Sequence, residues 1–135
     1  MKATGMNRQL KRVLRAGMVW DLTGGFVFLV VHGILQIQPK PPIYPFYAII
    51  IGLFLVMLAY LQLISSVDVK RYALLVGVVI SLRVLYASGV ILFSLMVESL
   101  PSQFFLTAMV DTIFVGLLLF AAKKGEIPPR GLFSP

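Results

Sequence analysis

The chain has 135 residues, of which 59% are hydrophobic and only 13% are charged. A soluble domain carries about 45–50% apolar and about 25% charged residues, so this composition excludes a soluble globular, a disordered or a fibrous protein. The sequence has no cysteine, which excludes disulfide scaffolds and thiolate metal sites, and its single histidine is too few for a histidine-built metal site. The composition therefore predicts an integral membrane protein.

Four apolar stretches have the roughly 20 residues that a helix needs to cross a bilayer. They cover about 17–36, 45–64, 72–97 and 101–122. Proline-rich or polar breaks separate them, and such short connections make consecutive helices antiparallel. We therefore predict an all-α fold, in which an up-down-up-down bundle of four membrane helices forms a single domain with a tail over 123–135.

Basic side chains are distributed unevenly along the chain. Of the 12 Lys and Arg residues, ten fall on one predicted side of the membrane: Lys2, Arg8, Lys11, Arg12, Arg15, Lys70, Arg71, Lys123, Lys124 and Arg130. Lys40 alone falls on the other side, and Arg83 falls within the third span. Because Lys and Arg accumulate in cytoplasmic segments, we expect both termini in the cytoplasm and place the chain in a bacterial inner membrane. The net charge of +7 then reflects topology, and we expect no nucleic-acid partner.

The segment before the first span, about 6–16, has an amphipathic pattern. Leu10, Val13 and Leu14 fall on one side of a helix, and the opposite side carries basic residues: Arg8, Lys11, Arg12 and Arg15. This pattern predicts a short helix at the membrane surface, where each basic residue near anionic lipid contributes about 1 kcal/mol. We expect these side chains to bind anionic lipid head groups or to dock on an acidic partner.

Three ionisable residues fall inside the predicted spans, namely Asp21, Arg83 and Asp111. At about 1.5 Å per residue, Arg83 and Asp111 reach similar depths near the midplane, so we predict that they form an ion pair. The same arithmetic puts Asp21 only about 6 Å inside the first span, about 10 Å shallower than Arg83. His32, near the other end of the first helix, is a fourth candidate.

Polar residues also follow one face of the fourth helix, where Gln103 and Thr107 precede Asp111 at helical spacing. The complete predicted polar network comprises Arg83, Asp111, Asp21, His32, Thr107 and Gln103. One interpretation is that the network fixes the register of the helices. The other is that it forms a proton or ion path, because charged residues inside membranes often mark such paths.

Small residues predict where the helices approach each other closely. Gly25 on the first helix and a face of the third helix with Gly77, Ser81 and Ser88 are the expected packing positions. The second span has no charged residue, and we expect part of its surface to contact lipid or the helices of a partner.

The sequence contains no HExxH, P-loop or GxSxG motif, and no nucleophile–base–orienter set can be assembled from it. We therefore expect no enzymatic activity, no metal and no cofactor. The sequence leaves open whether a lipid, quinone or pigment binds at an interface with a partner.

Several features are distributed over most of the chain. A basic lead-in with Arg15 precedes Asp21, a short turn over 67–71 joins the second and third spans, and Arg83 and Asp111 lie in the last two spans. In these features the chain resembles small bacterial four-helix integral membrane proteins of unassigned function. The resemblance implies a fold and no particular activity.

Two classes of function follow from these patterns. The first is a non-catalytic accessory or structural subunit of a larger membrane complex, of the respiratory or photosynthetic kind, because the chain lacks extramembrane domains and cofactor ligands. The alternative is a small transporter or channel that uses the Arg/Asp network. Since four helices enclose little volume, we expect such a transporter to self-associate.

Overall fold

The computed structural model describes residues 2–39, 42–96, 102–124, 127 and 132–133. Every regular element in this part of the chain is a helix, which confirms the all-α prediction. The elements in chain order are α1 (Lys2–Phe26), a π-helical continuation of it (Val27–Ile34), α2 (Pro45–Val67), α3 (Ala73–Met96) and α4 (Ser102–Lys124).

Each of the four helices is long and apolar enough to cross a membrane, as the sequence predicts. The membrane-length segments are Arg8–Ile34, Pro45–Val67, Ala73–Met96 and Phe104–Lys124. Large hydrophobic side chains such as Met57, Leu85 and Leu95 are exposed on the outside of these helices. A contiguous apolar surface of this kind suits a lipid environment.

The first helix is longer than the predicted span. The amphipathic segment 6–16 continues into the span without a break, so it is not a separate surface helix. Leu10 and Leu14 are fully buried in the main hydrophobic cluster, while Arg8, Arg12 and Arg15 are exposed. The apolar side of the segment therefore packs against the protein's own core. For this reason the segment does not form the separate surface helix that the sequence predicts.

The second helix extends past its predicted end to Val67. Ser65 and Ser66, which the sequence places in a polar break, are helical and buried. Their hydroxyl groups donate to carbonyl oxygens of the preceding turn at 2.7 and 2.8 Å, so the helix itself satisfies them. Lys11 satisfies the helix end, because its Nζ donates to the carbonyl oxygen of Val67 at 2.7 Å.

Two glycines bring α1 and α2 into close contact. A Cβ on Gly52 would lie 2.6 Å from the backbone nitrogen of Leu29, a distance that no real side chain tolerates. A Cβ on Gly25, one of the predicted packing residues, would lie 3.2 Å from the carbonyl oxygen of Gly52. Close backbone approach at small residues is how membrane helices gain van der Waals contact.

The prediction that Ser81 and Ser88 pack against other helices of this chain is wrong, whereas Gly77 lies on the inward face of α3. Ser81 and Ser88 are exposed, and a Cβ on Gly77 would meet the backbone of Leu132 in the tail rather than another spanning helix. The inward face of α3 consists instead of Val76, Gly77, Val79, Ile80, Arg83, Ala87 and Val90. Arg83 sets this orientation, because its charged group must face the bundle interior, and Ser81 then points the other way.

The interior is packed differently along its length. At one end a hydrophobic cluster joins all four helices and the tail, and we call it the packed end: its buried members include Leu10, Leu14, Val76, Leu118 and Leu132. Farther along α3, a smaller cluster contains only Ala87, Val90 and Ala108 as buried members. Arg83 lies between the two clusters in the sequence of α3.

Candidate functional site

A buried arginine on α3 connects all four helices. Arg83 is 0% exposed, and its Nη1 donates to Oδ1 of Asp111 on α4. Its Nη2 donates to Oδ2 of Asp21 on α1 at 2.7 Å and to Oε1 of Gln62 on α2 at 3.2 Å. Gln62 in turn donates from Nε2 to the same Asp21 oxygen. We call these four side chains the Arg–Asp network.

The network is withdrawn from solvent but not fully satisfied. Asp21 is 1% and Asp111 5% exposed, and the guanidinium carbon of Arg83 lies 4.9 Å from the ring centroid of Phe114. Oδ1 of Asp21 and Nε of Arg83 are buried without a hydrogen-bond partner among the described residues. A buried polar atom of this kind is costly unless it finds a hydrogen-bond partner.

The structure places Arg83 against Asp111, as the depth arithmetic predicts. The depth predicted for Asp21 is wrong, because Asp21 is at the level of Arg83 and forms an ion pair with it. The error arises from the assumed start of the span at Gly17. The membrane-length part of the helix begins at Arg8, which puts Asp21 about 20 Å from that end at about 1.5 Å per residue.

Gln62 is the member of the network that sequence reasoning missed. Its amide also donates to the carbonyl oxygen of Leu58 at 3.2 Å, and it is 1% exposed. The available signal was an amide in an otherwise apolar part of α2. Gly17 makes room for it, since a Cβ there would collide with the Gln62 side chain and lie 3.1 Å from Nη2 of Arg83.

His32 is buried but lies apart from the network. Its Nδ1 forms a hydrogen bond with the carbonyl oxygen of Ile37, just past the end of the π-helix. Its ring packs edge-on against Phe28, with 5.7 Å between the ring centroids. The contacts of His32 are therefore those of a residue that closes a helix end.

Thr107 is connected to the region of the Arg–Asp network through Tyr86, a residue that the sequence analysis did not identify. The hydroxyl groups of Thr107 and Tyr86 share a hydrogen bond of 2.7 Å, and Thr107 also donates to the carbonyl oxygen of Phe104 at 3.0 Å. Tyr86 lies one turn after Arg83 on α3. The side chain of Gln103, the remaining predicted member, lies outside the described residues.

A cavity of about 470 Å³ lies against the network, and all four helices contribute to its wall. The wall is mainly aliphatic and aromatic, and its polar part includes Asp21, Arg83, Tyr86, Thr107 and Asp111. On α1 the lining extends from Trp20 to Phe28, away from the packed end. We therefore call this region the cavity end.

The cavity has the character of a small-molecule site, since such sites are concave, mostly apolar and equipped with a few convergent polar groups. Within the described part of the chain, no group of three or more His, Asp or Glu side chains is placed to hold a metal ion. Both carboxylates of the network are already bonded to Arg83. The arrangement can therefore bind or move charge, and it offers no ready cage for a multivalent metal.

In comparisons with known proteins, no family model, no curated protein and no solved structure matches this chain. The functional argument accordingly rests on the geometry of the Arg–Asp network and the cavity.

Proposed function

We propose that the protein is a small membrane transporter or channel that works through the Arg–Asp network. One observation carries this proposal: Asp21, Arg83 and Asp111 belong both to the network and to the wall of the cavity. A network that only fixed helix register would need no cavity at its charged groups. Charged side chains that border a cavity inside a membrane typically mark substrate or ion pathways.

The proposal includes the up-down-up-down topology, and contacts between neighbouring helices support it. Gly17 of α1 approaches Gln62 near the end of α2, whereas Gly33 approaches Ile49 near its beginning. These two contacts fit helices of opposite direction. Contacts between α3 and α4 support the same antiparallel arrangement. Arg83 pairs with Asp111, and Tyr86, which follows Arg83 on α3, bonds to Thr107, which precedes Asp111 on α4.

The proposed orientation puts the packed end at the cytoplasmic side of a bacterial inner membrane. The support is the charge pattern, because exposed basic residues flank this end: Arg8, Arg12, Arg15, Lys70, Arg71, Lys123 and Lys124. Such residues favour the cytoplasmic side and anionic lipid head groups. The cavity end then faces the outer half of the membrane.

Self-association is not needed to build the site. The sequence-based expectation was that four helices enclose too little volume, but one chain contains the cavity of about 470 Å³. We therefore propose that a single chain holds the binding region, whatever its oligomeric state.

Proton flux into proteoliposomes tests the transport proposal. We expect purified protein to carry protons under an imposed membrane potential, and Asp111→Asn to abolish the flux while the variant still unfolds cooperatively. Asp21→Asn is the second variant, and Asp68→Asn, in the exposed turn between α2 and α3, is the matched control. Flux equal to that of protein-free vesicles, or unchanged flux in both network variants, would overturn the proposal.

The accessory-subunit function is the second candidate, and the outer face of α3 favours it. Ser81, Ser88 and Gly89 are exposed there, and a Cβ on Gly89 would have no neighbour within 4 Å among the described residues. Small exposed residues on a membrane helix permit close approach of another helix. Partners would be other membrane subunits or a second copy of the chain.

A native gel of mildly solubilised membranes tests this second candidate. A subunit of a larger complex comigrates with other proteins that mass spectrometry identifies in the same band. If the chain runs alone at the mass of a monomer or small homo-oligomer, the accessory-subunit proposal fails.

A further inference from the structure

The Arg–Asp network contains one more carboxylate than it has guanidinium groups. Asp21 and Asp111 bring two negative charges and Arg83 brings one positive charge, so the ionised network has a formal charge of −1. The other polar side chains that face it, Gln62 from α2 and Tyr86 from α3, are amide and phenol groups. No further Lys, Arg, Asp or Glu belongs to the described lining of the cavity.

An uncompensated negative charge at this depth is expensive, and the structure shows where the compensation is missing. Oδ1 of Asp21 is buried without a hydrogen-bond partner among the described residues, while its Oδ2 accepts from both Arg83 and Gln62. Asp21 also lines the cavity. A positively charged group at this carboxylate would neutralise the network and give Oδ1 a partner.

The cavity wall decides what kind of cation fits. A small inorganic cation needs several oxygen ligands, and this wall is mainly aliphatic and aromatic. The rings of Trp20, Phe28, Phe54 and Tyr86 line the same cavity, and aromatic faces attract organic cations. Its volume of about 470 Å³ lies within the range of small-molecule sites.

We propose that the cavity binds a lipophilic organic cation, with the positive charge at Asp21 and the apolar groups against the aromatic wall. This inference rests on the proposed function and names the substrate class of the same site. A lipophilic anion would raise the formal charge of the site to −2. The terminal nitrogens of Arg83 already donate to Asp21, Asp111 and Gln62, which leaves only its buried Nε for such an anion.

Protons compete with the cation for the same excess charge. A proton on Asp21 or on Asp111 also makes the network neutral, without a ligand. The groups that face this charge are Asp21 from α1, Gln62 from α2, Arg83 and Tyr86 from α3, and Asp111 from α4. Binding of the organic cation should therefore weaken as the pH falls.

The fluorescence of Trp20 tests the inference directly. Trp20 is the single tryptophan of the sequence, and it lines the cavity. The full-length protein in detergent is titrated with tetraphenylphosphonium, and with tetraphenylborate as an anion of the same shape. We expect saturable binding of the phosphonium only, and weaker binding at about pH 4 than at about pH 8, because carboxylates take up protons near pH 4.

Two variants make the test specific to the network. Asp21→Asn leaves the Arg83–Asp111 pair with no excess charge, and we expect it to weaken phosphonium binding about tenfold or more, a change of ~1.4 kcal/mol. Asp68→Asn is the matched control and should bind like the unmodified protein. If Asp21→Asn does not fold, Phe54→Leu keeps all charged groups and should weaken binding a few-fold through the lost aromatic contact.

The outcomes separate this inference from the transport proposal. Equally tight binding of tetraphenylborate, or phosphonium binding that is insensitive to both Asp21→Asn and pH, would overturn the inference. Proton flux in vesicles without phosphonium binding would also overturn it, while the transport proposal stands. Phosphonium binding without any flux would support the inference and overturn the transport proposal.

Discussion

The two ends of the bundle are made from the same four helices, yet side chains fill one end more completely than the other. At the packed end, Leu10, Leu14 and Val76 are fully buried and Leu118 is 1% exposed. At the cavity end, the helices surround a space of about 470 Å³. In lipid, helices associate largely through van der Waals packing, so the packed end should supply most of the stability. The cavity end then contributes less packing to the stability of the bundle.

The first helix shows how the sequence produces this difference. Long aliphatic side chains at Leu10 and Leu14 fill the packed end, whereas Thr23 and Gly24 line the cavity. The helix changes to π geometry at Val27, which also lines the cavity together with Phe28.

The largest expected effect is at the boundary between the two ends. Arg83→Gln leaves Asp21 and Asp111 as two buried carboxylates without their cation, and losing one partner of a buried ion pair costs about 3–5 kcal/mol. We expect a loss of this size in the free energy of unfolding, measured in detergent. Arg15→Gln removes an exposed charge and should change little. Equal stability of the two variants would show that the network is not buried as described.

A pair of leucine variants compares the ends directly. Leu14→Ala removes a side chain that is 0% exposed at the packed end and should cost about 2–5 kcal/mol. Leu55→Ala truncates a half-buried side chain that already borders the cavity, so it should cost less than half as much. The same unfolding measurement serves both variants, and losses of similar size would contradict the difference between the ends.

Helix approach at the cavity end can be disturbed by one methyl group. Gly52→Ala introduces a Cβ against the backbone of Leu29, and we expect overpacking to cost about 1–3 kcal/mol. A Cβ at Gly116 has no neighbour within 4 Å among the described residues, so Gly116→Ala should be neutral or stabilise by up to about 1 kcal/mol. Thermal unfolding of the two variants should therefore show shifts of different sign or clearly different size. Destabilisation by Gly116→Ala as large as that by Gly52→Ala would refute this account of the helix contact.

The smallest effect is expected for the hydroxyl pair in the cavity wall. Tyr86→Phe removes the hydrogen bond to Thr107, and such bonds between membrane helices contribute about 0.6 kcal/mol on average. A double-mutant cycle with Thr107→Val isolates this coupling from the other contacts of Thr107. A coupling free energy near zero would mean that the bond adds nothing measurable to the cavity wall.

Much of the fold could be predicted from the sequence, because span length and proline breaks are properties of single segments. The pairing of Arg83 with Asp111 could be predicted too, since both depths were counted from helix ends that the sequence marks well. Asp21 was placed too shallow because the basic residues before Gly17 resemble a surface segment. In the structure, the same residues form the solvent face of a helix whose other side is buried.

The remaining features depend on how the helices meet in space. Gln62 is a polar amide, but it falls next to the end of the predicted second span at residue 64, where polar interface residues are common. Tyr86 carries no charge, so a hydropathy pattern does not mark it as part of a buried network. The cavity depends on the relative rotation and spacing of four helices, which no single segment encodes. The small-residue face with Ser81 and Ser88 fails for the same reason, because burial of Arg83 fixes the rotation of α3 and turns that face outward.

Thiol labelling tests most directly the central claim that the network borders an accessible cavity at one end and a closed core at the other. The sequence has no cysteine, so single-cysteine variants need no background substitutions. Leu55→Cys places a thiol in the cavity wall, and Val76→Cys places one in the packed end, where the native side chain is 0% exposed. With a small water-soluble thiol reagent, we predict that the thiol at position 55 reacts and the thiol at position 76 does not. Equal reactivity at both positions, or reaction at position 76 alone, would contradict the account.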